Sequence, residues 1–156
     1  MNRCEPTIRR RLRTCRGTSL LETALVLPLL LLITFSIIEF GAMFYAYLAL
    51  ENGVSQATRY GITGNVQTGL SRDDSIKAAM RDATPTLTID DAAFSMSHLP
   101  EGGSSWLAGP GGPGEIEKVT VDYNYDIMTP LLRPFFSGGQ FHIQVASSMK
   151  NEGRFN

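Results

Sequence analysis

The chain has 156 residues, enough for one domain beyond a membrane anchor but too few for two sizeable hydrophobic cores. Its net charge of −1 hides an asymmetry, because six of the 14 Lys and Arg residues are arginines within the first 17 positions. The rest of the chain is acidic, which argues against nucleic-acid binding through phosphate contacts.

The basic leader also contains both cysteines, Cys4 and Cys15, so the body of the protein has no disulfide. A lipoprotein signal places its apolar region before the modified cysteine, whereas here the apolar run follows Cys15. The leader therefore indicates a topology signal rather than a lipidation site.

An almost continuous apolar run extends from Leu20 to Leu50, with Glu22 and Glu39 as its only charged residues. A bilayer core needs about 20 such residues in a helix, whereas a cleaved secretory signal has an apolar core of only about 7–15. The run therefore predicts one stable span through a lipid bilayer. The arginines place the leader in the cytoplasm and the residues after about position 50 outside it.

Helical spacing continues to Tyr60, and Gly61 supplies a stop. A helix from Thr18 to Tyr60 would be about 65 Å long, roughly twice the hydrocarbon thickness. Pro28 predicts a kink within it, because the proline ring removes a backbone hydrogen bond.

Small residues recur along this helix at three- and four-residue spacing. The candidate helix-packing positions are Ala42, Ala46, Ala49 and Gly53, together with Gly41 and Pro28. Stripes of this kind permit close helix–helix approach in lipid. Alanine is common in any helix, so the stripe by itself indicates packing only weakly.

The position of Glu39, an acid within an apolar helix, can be interpreted in two ways. No basic residue stands at positions 35, 36, 42 or 43 to pair with it. Its carboxylate either reaches the outer headgroup level or pairs with another subunit. Phe44 and Tyr45, which follow directly and suit an outer aromatic belt, favour the headgroup interpretation.

Beyond the helix, the pattern predicts a small α+β domain. Ser71 is placed to cap a second helix with the sequence RDDSIKAAMRDA. Short strands are expected at Thr86–Ile89 and Ala93–Ser97. An irregular glycine-rich loop is expected at Glu101–Gly114. Apolar and polar residues alternate at Lys118–Met128 and Phe141–Met149, which predicts two strands that pair with each other.

The junction between leader and helix is the most informative segment. It reads Arg16-Gly17-Thr18-Ser19-Leu20-Leu21-Glu22, so an acid stands at the fifth position after a glycine. The helix adds a Leu27-Pro28 pair, an IIEFG block at Ile37–Gly41 and an RYGITG segment at Arg59–Gly64. With these features the sequence resembles type IV prepilins and, more closely, the TadE family of the tight-adherence (Flp) pilus system.

This resemblance implies that a prepilin peptidase removes the leader, with Gly17 as its last residue and Thr18 as the new N-terminus. Alternatively, Gly17 is only a helix-entry residue. The resemblance further implies that the Glu22 carboxylate pairs with the Thr18 amine of a neighbouring subunit. In the plainer alternative, Glu22 reaches interfacial water.

The expected organisation is a cleaved cytoplasmic leader at 1–17, a TadE-like transmembrane and extended helix at 18–64, and a periplasmic α+β domain at 65–156. The fold class is therefore α+β, with a long pilin-like helix ahead of a small domain containing a short helix and a few antiparallel strands.

No catalytic motif, metal-ligand spacing or cofactor-binding loop is present in the sequence, so we expect neither enzyme activity nor a cofactor. The leading hypothesis is a minor pseudopilin of the bacterial inner membrane. Its expected partners are a prepilin peptidase, other pilins and inner-membrane pilus assembly proteins. The rival is an uncleaved signal-anchor binding module whose periplasmic domain recognises an envelope ligand; an anchored envelope enzyme lacks any supporting site.

Overall fold

The computed structural model describes residues 15–153, with side chains from Ser19 onward. The basic leader up to residue 14 lies outside the described residues. The chain forms two compact units, one ending at Ile38 and the other beginning at Glu39.

Helix α1 comprises Cys15–Gly61 and is one helix of 47 residues that continues through Pro28. The predicted long helix is confirmed, but it starts three residues before Thr18 and includes Gly61, which was expected to lie just beyond its end. The first unit consists, in its described part, of the beginning of this helix, whose side chains from Ser19 to Leu31 are all exposed. The remainder of α1 belongs to the second unit.

The second unit adds one helix and a four-stranded antiparallel sheet. Helix α2 is Arg72–Ala83, and the Ser71 hydroxyl caps it by accepting a hydrogen bond from the Asp74 N–H at 3.1 Å. The strands are β1 (Phe94–Leu99), β2 (Leu107–Ala108), β3 (Ile116–Asp126) and β4 (Gln140–Lys150), in the order β2-β1-β3-β4. The expected α+β fold is confirmed.

One face of the sheet carries the core, as the alternation in β3 and β4 predicted. Val121 lies opposite Val145 and Tyr123 opposite Ile143, so apolar side chains share this face. The core residues are Ala46, Leu50, Val54 and Ala57 from α1, Ile76 and Met80 from α2, Val119, Val121 and Tyr125 from β3, Ile143 and Val145 from β4, and Ile89, Ile127 and Leu132 from connecting segments.

Within the second unit, α1 runs antiparallel to β3. Glu39 contacts Met128, just after the end of β3, whereas Gly61 lies against Glu117 near its start. About 22 helical residues rise 33 Å, which matches the roughly 36 Å of an 11-residue strand. We call the two extremities of this unit the Glu39 end and the Gly61 end.

Two sequence expectations for the body are wrong. Thr86–Ile89 is not a strand, because the chain turns immediately after α2, where the Leu87 N–H donates to the Thr84 carbonyl at 3.1 Å. The glycine-rich loop contains one regular piece, since Leu107–Ala108 pairs with Ser97 and His98 as β2. A two-residue strand depends on its partner and leaves no periodic pattern of its own.

Candidate functional site

The first part of α1 exposes an almost uninterrupted apolar surface. An 18-residue window with mean hydropathy 2.3 has none of its residues buried. Its exposed large side chains are Leu20, Leu21, Leu25, Val26, Leu27, Leu29, Leu30, Leu31, Ile33, Phe35, Ile37 and Ile38. A surface of this size is unfavourable in water and marks contact with lipid or protein. By length and composition, this helix can cross a membrane.

Glu22 stands exposed on this apolar surface. It lies on one side of the helix with Val26 and Leu30, four and eight residues further on. Among residues 15–153, no hydrogen bond or ion pair involves the Glu22 carboxylate, whereas the neighbouring Thr23 hydroxyl donates to the Ser19 carbonyl at 2.9 Å. The carboxylate is thus available to a group from outside the described part of the chain.

Glu39 has the opposite environment, with only 6% of its surface exposed. Its carboxylate accepts hydrogen bonds from the backbone N–H groups of Met128 and Thr129 at 2.9 Å each, and from the Thr129 hydroxyl at 2.6 Å. Sequence analysis assigned this acid to headgroup water or to another subunit. The structure instead supplies three donors from the same chain.

Tyr125 is the fourth group at this carboxylate. Its hydroxyl is buried close to Glu39 but lies outside hydrogen-bond geometry. Burial, together with the neighbouring carboxylate charge, raises the pKa of Tyr125. The tyrosine therefore stays neutral and protonated beside the charged acid.

The small residues of α1 divide into buried and exposed members. Ala46 is 1% exposed and belongs to the protein's own core. A Cβ at Gly53 would come within 2.5 Å of Thr84 Cγ2, whereas a Cβ at Gly41 would meet nothing within 4 Å. The expectation that Ala46 and Gly53 face another helix in lipid is wrong, because α2 and the sheet occupy that space.

The other helix-packing candidates are at least partly accessible. Ala42 and Ala49 are half-buried at the margin of the core, and Pro28 is exposed within the first unit. A role for these positions in contacts between subunits stays a prediction.

A polar cluster that sequence analysis did not foresee lies at the Gly61 end. Arg72 Nη2 donates to Glu117 Oε2 at 2.7 Å and to the Gly61 carbonyl at 2.9 Å, and Nη1 donates to the Gly111 carbonyl. One guanidinium therefore joins the end of α1, the glycine-rich loop and β3. The signal for this pair was weak, because Arg72 and Glu117 are 45 residues apart.

Glu117 has no exposed surface, and its Oε1 has no hydrogen-bond partner among the described residues. Burial raises the pKa of this carboxyl, and Arg72 offsets only part of that effect. This cluster is structural in its contacts, since it ties together elements of one unit.

The sequence comparison decides how to interpret the helix. The family model described as TadE-like protein matches residues 17–59. This stretch is TadE-like. No curated protein and no solved structure matches the chain.

The TadE-like segment accounts for nearly all of α1 and none of the sheet. It contains Gly17, Thr18, Glu22, Pro28 and Glu39, and it ends two residues before the helix does. Both Gly17 and Thr18 lie within the first turn of α1. The match is limited to this segment and leaves residues 60–156 without a family assignment.

Across the part of the chain that the structure describes, no three His, Cys, Asp or Glu side chains come together in a group able to hold a metal ion. The exposed apolar helix, with the Glu22 carboxylate unpartnered among residues 15–153, is the surface on which the family match and the hydropathy coincide.

Proposed function

We propose that this protein is a minor pseudopilin that acts in the assembly of a tight-adherence (Flp-type) pilus. It is anchored in the bacterial inner membrane by α1, with its N-terminus in the cytoplasm and its α+β unit in the periplasm. A prepilin peptidase processes it, and other pilins and inner-membrane assembly proteins are its partners.

The observation that carries this proposal is the coincidence of the TadE-like match with the exposed part of α1. The match begins at Gly17 and includes the whole apolar surface up to Ile38. Such a helix has two suitable environments, a bilayer and the apolar interior of a helical filament. A pilus subunit uses both in turn, which accounts for the exposure of every α1 side chain from Ser19 to Leu31.

The orientation is supported by charge. Six arginines precede the helix, and the next basic residue after the apolar surface is Arg59. Lys and Arg residues are retained on the cytoplasmic side of a span. The sheet and α2 then lie in the periplasm.

Processing after Gly17 requires a local opening of the helix, because Gly17 and Thr18 are helical. A peptidase binds its substrate in an extended form, so the first turn of α1 has to unwind. Glycine lowers the cost of that unwinding by about 0.5–1 kcal/mol relative to alanine. This is a physical reason for a glycine at the scissile position.

Glu22 provides the link between processing and assembly. An ionised acid in a membrane helix is costly and is usually partnered, yet Glu22 finds no partner among residues 15–153. Cleavage creates a new amine at Thr18. Pairing of that amine with Glu22 of a neighbouring subunit neutralises both charges in the apolar surroundings.

The deciding experiment compares in-cell crosslinking of wild type with Glu22→Val at matched levels of membrane-inserted mature protein. The matched control is Glu51→Val, which removes an exposed acid from the same helix. We expect Glu22→Val to lose crosslinks to pilins and surface piliation while Glu51→Val retains both. Normal crosslinks and pili in Glu22→Val would refute the pairing mechanism and leave the TadE-like resemblance without this physical rationale.

A further inference from the structure

A well-defined loop at the Glu39 end connects β3 to β4. Its two ends meet, because the Ile127 N–H donates to the Gly139 carbonyl at 3.0 Å. Inside it, the Leu132 N–H donates to the Thr129 carbonyl and Arg133 Nε donates to the Ile127 carbonyl at 2.9 Å. We call this segment, residues 127–139, the 127–139 loop.

The 127–139 loop buries one apolar side chain and exposes three others. Leu132 is 9% exposed and joins the core, whereas Met128 is 72%, Leu131 49% and Phe135 73% exposed. Internal hydrogen bonds hold the loop in this arrangement, so the three side chains cannot easily withdraw from solvent. An ordered apolar surface of this kind indicates a contact with something outside the unit.

The loop is attached to α1 at a specific residue. Glu39 accepts the hydrogen bonds of Met128 and Thr129, and it interrupts the exposed apolar surface of α1, which continues beyond it with Phe44 and Tyr45. Phe40, the next residue of the helix, is 63% exposed at the same end of the unit. The loop is therefore fixed to α1 at Glu39, close in the chain to exposed aromatic side chains of the kind that suit an outer membrane interface.

Charge distinguishes the loop from the rest of its unit. From Glu39 onward the chain has 13 Asp and Glu against eight Lys and Arg, yet residues 127–139 include no acid and one arginine, Arg133. Apolar and aromatic side chains next to a basic residue suit the boundary between acyl chains and anionic headgroups.

We propose that the 127–139 loop inserts into the outer headgroup region of the same bilayer that α1 spans. Met128, Leu131 and Phe135 enter the boundary with the acyl chains, and Arg133 contacts lipid phosphates. This inference rests on the membrane span in the proposed function. The Glu39 carboxylate acts as a positioning residue, because it holds the loop to the helix at that depth.

The test measures depth with an environment-sensitive fluorophore in the full mature chain, reconstituted one copy per lipid nanodisc with anionic phospholipid. The mature chain has no cysteine, so Phe135→Cys, Leu131→Cys, Leu30→Cys and Ser104→Cys each carry one label. Ser104 is the matched control, because it lies exposed between β1 and β2, at the Gly61 end.

We expect a lipid with a shallow spin label to reduce fluorescence at positions 131 and 135 and to leave position 104 unchanged. A deep spin label should quench position 30. Quenching at 30 without quenching at 131 and 135 would overturn the loop inference and leave the span intact. Loss of quenching at 30 would overturn the span itself.

A second arm separates lipid from protein as the occupant. Arg133→Gln should weaken quenching at position 135 in anionic discs, and Arg133→Lys should restore it, because lysine retains the charge. If the probe at 135 were shielded only in discs with two or more copies, the surface would be a contact between subunits and the lipid proposal would fail.

Discussion

Glu22 and Glu39 are two acids of one helix with opposite surroundings. Glu22 is exposed among apolar side chains without a partner in residues 15–153, whereas Glu39 is buried and accepts three hydrogen bonds. A carboxylate satisfied in this way stabilises its own fold, because its charge is compensated by donors that the chain holds in place. Of these two acids, only Glu22 has a carboxylate that another molecule could reach.

Glu117 provides a prediction about pH at the Gly61 end. Burial raises the pKa of this carboxyl in the folded state, Asp73 adds to the effect, and Arg72 and His98 oppose it. Between the unfolded pKa and this raised pKa the folded chain binds more protons than the unfolded chain. The contribution of Glu117 to the free energy of unfolding is therefore fully present below the unfolded pKa, and it is lost as the pH rises through the raised pKa.

The measurement is the free energy of unfolding of the full chain in nanodiscs, followed from acidic to neutral pH. We expect Glu117→Gln to remove part of the decline with pH that wild type shows. Glu101→Gln, which removes an exposed carboxylate at the same end, is the control and should keep the wild-type slope. Equal slopes in all three proteins would contradict the assignment.

At the scale of elements, helix α1 packs two of its small residues, Ala46 and Gly53, inside the second unit. Gly53 packs against α2, with Thr84 and Met80 as its neighbours. The same pattern of small residues suits a contact between two helices in lipid and a contact with a covering helix. Sequence spacing cannot distinguish these, because it shows which positions are small but not which element approaches them.

We predict opposite effects of one substitution at two glycines of α1. Gly53→Ala places a Cβ 2.5 Å from Thr84 Cγ2, and Thr84 cannot move freely, because it is β-branched and its hydroxyl donates to the Met80 carbonyl. Overpacking of this kind costs about 1–3 kcal/mol. Gly41→Ala meets no atom and should stabilise the helix by about 1 kcal/mol.

Thermal unfolding of the two variants in identical nanodiscs checks this prediction. A lower melting temperature is expected for Gly53→Ala, and an unchanged or higher one for Gly41→Ala. Equal effects at the two positions would mean that the space at Gly53 is not filled by Thr84 and Met80.

The elements that could be predicted from sequence are those with a local signal. The alternation of apolar and polar residues identified β3 and β4. Ser71 identified the start of α2, because it caps the helix that begins at Arg72. The weaker signals failed, because β2 is only two residues long and depends on its partner β1, and the segment after α2 forms a turn closed by the Leu87 N–H and the Thr84 carbonyl. The surroundings of Glu39 could not be predicted either, because its hydrogen-bond donors Met128 and Thr129 lie 89 and 90 residues further along the chain.

For the whole molecule, charge and hydropathy change abruptly at the junction between leader and helix. The first 17 residues contain six arginines and both cysteines, whereas residues 18–156 have eight Lys and Arg against 14 Asp and Glu. Removal of the leader would leave a chain with a free amine beside an apolar helix and a strongly acidic remainder. In the proposed orientation, the arginines would hold this end in the cytoplasm before processing.

The final prediction is that cells with an active prepilin peptidase contain only the form that begins at Thr18. Intact mass of the purified membrane protein measures this directly, since loss of residues 1–17 removes every leader arginine. Gly17→Leu should leave the precursor uncut, because a bulky side chain blocks the close backbone approach that glycine permits. Gly41→Ala, a change at another glycine of the same helix, should be cut as in wild type.

A full-length wild-type species would contradict processing and support the uncleaved signal anchor. In that case the TadE-like helix would act as a permanent membrane anchor.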